Sequence, residues 1–340
     1  MPPTRPRKHW GSKTMKKSLL ALVAIIASLG AQAETYTVTV TFDGSAATVD
    51  IPSGAASYVS CKSGSSAHVR LLQSSTTESN PGEIIYQLQG SSTDGEFYME
   101  GDYKATILLN GLTLTNPDST AINIKDGKRI KVSLASGTEN TIEDGSRNED
   151  SKGCFRCKGH TEFVGRGTLN VKSNFWHAIY SKEYIEVKNC TINVTGAKKD
   201  AIHCQQYFLM SSGTVNITSA NDDGIQVELK GETATAGTSE EDEDTGNFYL
   251  KGGTLNISGF GGKAIKTYGT VSISGGTTNV SSADIEEHAT SGIHSIATGT
   301  GEGLTRYYDL SGRQLPEGIL PQKGIYIERR GREARKVQVK

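Results

Sequence analysis

At 340 residues the chain has room for one large domain or two ordinary ones. Its 39 glycines against 8 prolines, with 7% aromatic residues, suit many short strands joined by tight turns better than they suit helices. A formal net charge of −1 removes any global electrostatic case for a nucleic-acid partner.

Met15-Lys16-Lys17-Ser18 leads into an apolar run from Leu19 to Leu29, followed by Gly30-Ala31-Gln32-Ala33. A basic start, a short apolar stretch and an A-x-A site have the form of a cleavable secretory leader. Residues 1–33 are therefore expected to be a signal peptide, with Met15 as the start and residues 1–14 as an upstream extension. An uncleaved anchor is the alternative, but the apolar run falls well short of the roughly 20 residues a span needs. No Cys follows the cleavage site, which argues against a lipoprotein anchor there. The mature chain is expected to be extracellular or at the cell surface, with the periplasm as the alternative, and without a membrane span.

Residues 34–103 open with the alternating Tyr36-Thr37-Val38-Thr39-Val40-Thr41-Phe42, a strand pattern. The spacing of the following region is absent here, so a separate N-terminal β cap is expected, closing an otherwise open edge.

From about residue 104 to 300 the chain repeats. Gly167-Thr168-Leu169-Asn170-Val171, Cys190-Thr191-Ile192-Asn193-Val194, Gly213-Thr214-Val215-Asn216-Ile217, Gly253-Thr254-Leu255-Asn256-Ile257 and Gly276-Thr277-Thr278-Asn279-Val280 begin 23, 23, 40 and 23 residues apart. The 40 is one period plus a 17-residue insertion. Apolar pairs such as Ile185/Val187 and Phe208/Met210 precede each lead residue. Ala178-Ile179, Ala201-Ile202, Gly224-Ile225 and Ala264-Ile265 follow it, and a last copy ends at Gly292-Ile293. Each period thus holds three short alternating strands and three turns, with no 3.6-residue apolar spacing. The expectation is an all-β fold: a right-handed, single-stranded parallel β-helix with 23-residue rungs and three strands per rung, flanked by the N-terminal cap and a small C-terminal β segment.

Stacking gives each column a role. Leu169, Ile192, Val215 and Leu255 point inward, while Asn170, Asn193, Asn216, Asn256 and Asn279 form an outward ladder able to hydrogen-bond along the stack. Four of these Asn also fit glycosylation sequons, which is the alternative reading. Of the five cysteines, Cys154 and Cys157 form a lone C-x-x-C without a second pair. Small buried hydrophobes are preferred over zinc ligands there. Cys157 and Cys204 lie two rungs apart, beyond disulfide reach.

The stretch from Glu228 to Gly246, which holds the insertion, carries seven acidic residues against one Lys and is expected to be a solvated loop, with cation capture as the alternative. Residues 301–340 lose the period and run through Tyr307-Tyr308-Asp309-Leu310-Ser311-Gly312-Arg313 and Lys323-Gly324-Ile325-Tyr326-Ile327. This stretch resembles the C-terminal β segment of secreted Bacteroidetes proteins, where related sequences act as type IX secretion sorting signals. A plain small β module is the alternative.

Chemistry concentrates on the third strand. His177, Asp200, Asp223 and Lys263 stand before its small-residue pairs, with Asp222 beside Asp223 and Glu228 at a strand end. Carboxylates one rung apart repel unless a proton or cation sits between them. Calcium suits such a corner, which makes Asp200, Asp222, Asp223 and Glu228 candidate metal ligands; solvated turn aspartates are the alternative. Arg156, Tyr180, His203, Gln226 and Lys266 face outward in one column. Lys158, Lys182, Gln205 and Tyr268 stand in the next, and Trp176 sits at the preceding turn. Aromatic faces, amides and cations on rigid strands are what carboxylated sugars require, so these ten residues form a candidate ligand face; an ordinary polar exterior is the alternative. No nucleophile elbow or partnered His appears, and no catalytic residue is assigned.

Leu109-Asn110-Gly111-Leu112-Thr113-Leu114, Gly137-Thr138-Glu139-Asn140-Thr141-Ile142, Gly159-His160-Thr161-Glu162-Phe163, Lys199-Asp200-Ala201-Ile202 and Asp222-Asp223-Gly224-Ile225 occur in that order over residues 100–280. On them the chain resembles the bacterial carbohydrate-binding domain family of pectate-lyase-like parallel β-helices, whose characterised member binds cellulose and polygalacturonate and carries calcium. The resemblance implies noncatalytic polysaccharide binding, with calcium at the Asp-(Gly/Ala)-Ile corners; a monomer is expected. Lys263 departs from that pattern. A pectate-lyase-like polysaccharide lyase, in which Arg156 or Lys182 would serve as base, and a structural surface protein or adhesin are the competing expectations.

Overall fold

The structure, a computed structural model, describes residues 35–74, 83–145, 152–236, 242–288, 295–296, 305–309, 313–315, 324–330 and 333–339. Two short 3₁₀ turns, Ser53–Ala55 and Ser282–Asp284, interrupt what is otherwise strand and turn. The strands form a 17-stranded sheet, a 10-stranded sheet and a separate three-stranded sheet. The pairings of the two large sheets are almost all parallel, giving an all-β, β-helix-like architecture.

Successive strands rejoin the same ladders. Thr161–Gly165, Thr168–Lys172 and His177–Ser181 pair in parallel with Ile185–Val187, Thr191–Gly196 and Ile202–Gln205. Those in turn pair with Tyr207–Met210, Thr214–Ile217 and Ile225–Glu228. Period-2 alternation then sorts the side chains: Leu169, Ile192, Val215 and Leu255 are fully buried above one another, as are Ile179, Ile225 and Ile265. After the insertion the chain returns to register, with Phe208 opposite Phe248 and Thr214 opposite Thr254.

The glycine that leads the second strand has a steric cause. Gly213, Gly253 and Gly276 hold φ of 89°, 87° and 76°, a region that disfavours any Cβ. A Cβ at Gly253 would fall 2.6 Å from the Gly213 carbonyl oxygen, and one at Gly276 would fall 2.7 Å from that of Gly253. Cys190 can occupy the column because the residue before it, Asn189, takes the positive φ of 66° instead. All five cysteines are free thiols, and Cys154, Cys157, Cys190 and Cys204 are buried.

The outward Asn column is a hydrogen-bonded ladder. Asn193 Nδ2 donates to Asn170 Oδ1 at 2.8 Å, Asn216 to Asn193 at 2.8 Å and Asn256 to Asn216 at 2.9 Å. Asn170 closes the row on Glu139 Oε1 at 2.8 Å. Asn279 leaves the row and pairs with the backbone of Ile257 instead.

Strands within 34–103, the stretch expected as a separate cap, join the same ladders. Thr37–Asp43 pairs in parallel with Ile84–Ser92, which pairs with Ala105–Asn116. His68–Gln73 pairs with Glu96–Glu100, and that strand with Ile122–Ile124. The long strands of 9 and 12 residues here, with connections of varied length, erase the fixed spacing while keeping the ladders. Two antiparallel partners, Ala46–Asp50 and Val59–Cys61, cover the outermost edges. At the other end Thr305–Tyr308, Gly324–Arg330 and Glu333–Val339 form an antiparallel meander. The expected leader, residues 1–33, and the last repeat copy at Gly292-Ile293 lie outside the described residues.

Candidate functional site

The third-strand ladder aligns Arg156, Tyr180, His203, Gln226 and Lys266 in one outward column. Rungs about 4.8 Å apart bring flat side chains into contact. The Tyr180 and His203 rings stack with centroids 5.4 Å apart, and His177 lies 4.5 Å from His203 and 5.8 Å from Tyr180. This packing covers them. Tyr180 and His203, expected on an open face, are only 6% and 5% exposed.

Beneath the rings Asp200 is fully buried. Its Oδ2 lies 2.9 Å from His203 Nδ1 and 3.2 Å from His177 Nδ1, and its Oδ1 accepts the Asp223 backbone N–H. The His177 contact is close, but its angle falls outside hydrogen-bonding geometry, which leaves that nitrogen without a hydrogen-bond partner. Burial opposes ionisation of Asp200, yet the two imidazoles outweigh it and hold the carboxyl far below its usual range. Burial likewise opposes protonation of His203, but Asp200 and Glu228 more than offset it and raise its value. For His177 burial prevails and lowers the value to about 4. At neutral pH Asp200 is therefore the anion of the cluster and His177 is neutral, while protonation of His203 is favoured over that of a free imidazole.

Asp200, Asp222 and Asp223 offer carboxylate oxygens that all lie within 4.8 Å of one another. Asp223 Oδ1 accepts the Lys263 N–H at 2.7 Å, while its buried Oδ2 has no hydrogen-bond partner and sits 3.8 Å from Lys266 Nζ. Burial, then the charges of Asp200 and Asp222, raise the Asp223 value. A Cβ at Gly262 would fall 2.4 Å from Asp223 Oδ1 and 2.8 Å from Asp222 Oδ1, so glycine there keeps a cradle open over both carboxylates. An oxygen-only donor set, a buried orphan oxygen and an open cradle fit a hard cation such as calcium. Glu228, expected as a fourth ligand, lies elsewhere: its Oε2 is 3.4 Å from His203 Nε2, and its Oε1 accepts from Gln226.

Around this cluster the face is cationic and aromatic. Trp176 is 39% exposed and Tyr268 41% exposed, the most open large hydrophobic side chains among the described residues. Trp176 stands edge-on to His177 at 5.9 Å, with Lys199 Nζ 5.4 Å above its ring. Lys152 Nζ lies 5.8 Å from the Tyr180 ring. Lys158 and Lys182 are exposed; Arg156, half-buried, donates to Asn123 Oδ1 at 3.2 Å. Gln205 is half-buried, with its Oε1 unpaired. Sequence reasoning missed Lys152 and Lys199 as members of the face. It also passed over His177 as a functional residue, although its place in the Asp200 column was visible. A second group escaped it: Glu183, 7% exposed, joins His160 Nε2 at 2.6 Å to Lys230 Nζ of the insertion, and His160 stacks on Tyr184. That contact ties the base of the acidic loop to the stack.

A family model described as carbohydrate-binding domain-containing protein matches residues 73–311. The chain belongs to this carbohydrate-binding domain family. A relative of that description from Acetivibrio thermocellus is 27% identical over 119 residues, 32% of this chain. The match spans 42% of that relative's length. Among solved structures, a polysaccharide lyase-like protein from C. thermocellum, studied as a gadolinium derivative, superposes with a TM-score of 0.53 at 20% identity. The superposition covers 74% of this chain and 99% of that one. At that identity the likeness speaks for the fold of this family member, which is thereby that of a polysaccharide lyase-like protein.

Proposed function

We propose that this carbohydrate-binding domain protein is an exported, noncatalytic, calcium-dependent polysaccharide-binding protein that prefers acidic plant cell-wall glycans such as polygalacturonate, with cellulose as a further ligand. The observation that carries the reading is the exposed Trp176 platform, with Lys199 over its ring, beside the Asp200–Asp222–Asp223 corner. An indole can stack on a sugar ring while ammonium groups meet its carboxylates. A calcium ion at the corner would neutralise the aspartates, which otherwise repel such a ligand. The right-handed sense and the 23-residue, three-strand rung belong to the same reading. The repeat length is supported by the register that sets Ile179, Ile202 and Ile225 opposite one another, and the hand by the strong right-handed preference of parallel crossovers. So do monomeric secretion to the cell exterior after loss of residues 1–33, and sorting through the C-terminal meander.

Oligogalacturonide binding by calorimetry, with calcium and with EDTA, tests the proposal. Expected are binding that EDTA weakens at least tenfold and a comparable loss in Trp176→Ala. Undiminished binding in both would overturn it.

A further inference from the structure

Far along the stack from Trp176, a cleft of about 550 Å³ opens beside the strands Val59–Cys61 and His68–Gln73. Tyr58, Ser60, Gln73, Glu100, Gly101 and Asp102 are among the residues that line it. Gln73 is 6% exposed, yet neither its Nε2 nor its Oε1 has a hydrogen-bond partner among the described residues. Buried side-chain amides are almost always satisfied, so a cleft-lining amide with both ends unpaired needs an outside partner. Glycine at 101 lets the chain pass close against that amide: a Cβ there would fall 2.7 Å from Gln73 Oε1 and 3.1 Å from Asp126 Oδ2. Asp126 in turn fixes the surrounding loop by accepting the backbone N–H groups of Tyr103 and Lys128.

The lining chooses the ligand class. Among the described residues no Lys, Arg or His lines the cleft, while two carboxylates, Glu100 and Asp102, do. A carboxylated sugar would be repelled. An uncharged, hydroxyl-rich ring can instead donate hydroxyls to the carboxylates and exchange a donor and an acceptor with the Gln73 amide, beside the half-buried Tyr58. We infer that this cleft is a second saccharide subsite, selective for an uncharged sugar unit and separate from the acidic-glycan face. It stands on its own lining and does not depend on the Trp176 surface or on calcium.

The test titrates the mature chain with cellotetraose, xylotetraose and mannotetraose by heteronuclear NMR, in wild type, Gln73→Leu and Trp176→Ala. Expected are shifts around Gln73 and Tyr58 with at least one of the three, lost or weakened at least tenfold in Gln73→Leu, and persistence of those local shifts in Trp176→Ala. No saturable binding at millimolar concentration, or affinity in Gln73→Leu within twofold of wild type, would overturn the inference. Loss of oligogalacturonide binding in folded Gln73→Leu would overturn the selectivity for uncharged units. Thermal unfolding certifies the fold of the variant, and Tyr58→Ala decides the matter if Gln73→Leu does not fold. Retained tetrasaccharide binding in a Trp176→Ala protein that has lost oligogalacturonide would separate the two surfaces.

Discussion

Asp200 and His203 face each other across 2.9 Å, both almost wholly removed from water, at the centre of the third-strand ladder. Each partner favours the charged form of the other, against the burial that opposes both. His177 packs against it as a neutral ring, and Glu228 touches the far nitrogen of His203.

That arrangement fixes a pH dependence. Asp200 is depressed in the folded state, so its contribution is complete above about pH 4, its unfolded range, and is lost as pH falls through the lower folded value. His203 is raised, so its contribution is complete below about pH 6.5 and is lost as pH rises through the higher folded value. Asp200→Asn strands the buried imidazole and is expected to cost about 3–5 kcal/mol near pH 6. The deficit should shrink toward pH 9. Urea unfolding of wild type and variant across that range measures it, and a deficit independent of pH would refute the ionised pair.

His177 works in the opposite direction. With its value lowered to about 4, it resists protonation that the unfolded chain accepts from about pH 6.5 downward. It therefore removes stability between about pH 6.5 and 4. His177→Phe, which keeps a flat ring in the stack, should flatten the acid limb of the stability curve while leaving pH 8 nearly unchanged. Differential scanning calorimetry at pH 5 and pH 8 compares the two.

The Asn row gives a third expectation. Asn193 donates to Asn170 and accepts from Asn216, so Asn193→Ala removes two bonds at once. At about 0.5–1.5 kcal/mol each, and half-buried, the loss should be about 1–2 kcal/mol. Asn279→Ala removes a cap on Ile257 instead and should leave the row between Glu139 and Asn256 intact. Denaturant midpoints of the two variants, with amide exchange along the row, distinguish them.

Much of this was legible in sequence because stacking turns a linear period into a column. Once Leu169, Ile192 and Val215 are placed inside, the Asn row and the meeting of Asp200 with Asp223 follow. Where strands lengthen and connections vary, as from Thr37 to Asn116, the ladders persist but the period does not, and the start of the stack was misplaced. Side-chain direction was equally hidden. Tyr180 and His203 point outward as expected, but neighbouring rings one rung away cover them, and Glu228 turns to His203 because the imidazolium attracts it more than two carboxylates do. Contacts between elements far apart in sequence, such as Lys230 with Glu183, leave no periodic trace at all.

The carboxylate corner yields the last prediction. Asp223 is held above its ordinary range by burial and by its two acidic neighbours, so the folded state disfavours its ionised form. Removing that charge by Asp223→Asn should stabilise the cation-free protein or leave it unchanged, because the lost carboxylate had a buried oxygen without a hydrogen bond and two like charges beside it, set against one long ion-pair contact of 3.8 Å to Lys266. A bound calcium reverses the account: it favours the charged state, raises the melting temperature by mass action, and loses a ligand in the variant. The expected pattern is an equal or higher melting temperature without calcium and a much smaller rise on adding it. Acid should weaken the wild-type rise as protons compete for Asp223. Calcium titration followed by thermal unfolding at pH 7 and pH 5 measures all three. A variant that loses stability without calcium but keeps the full calcium-dependent rise would show that Asp223 serves only the turn that holds Lys263.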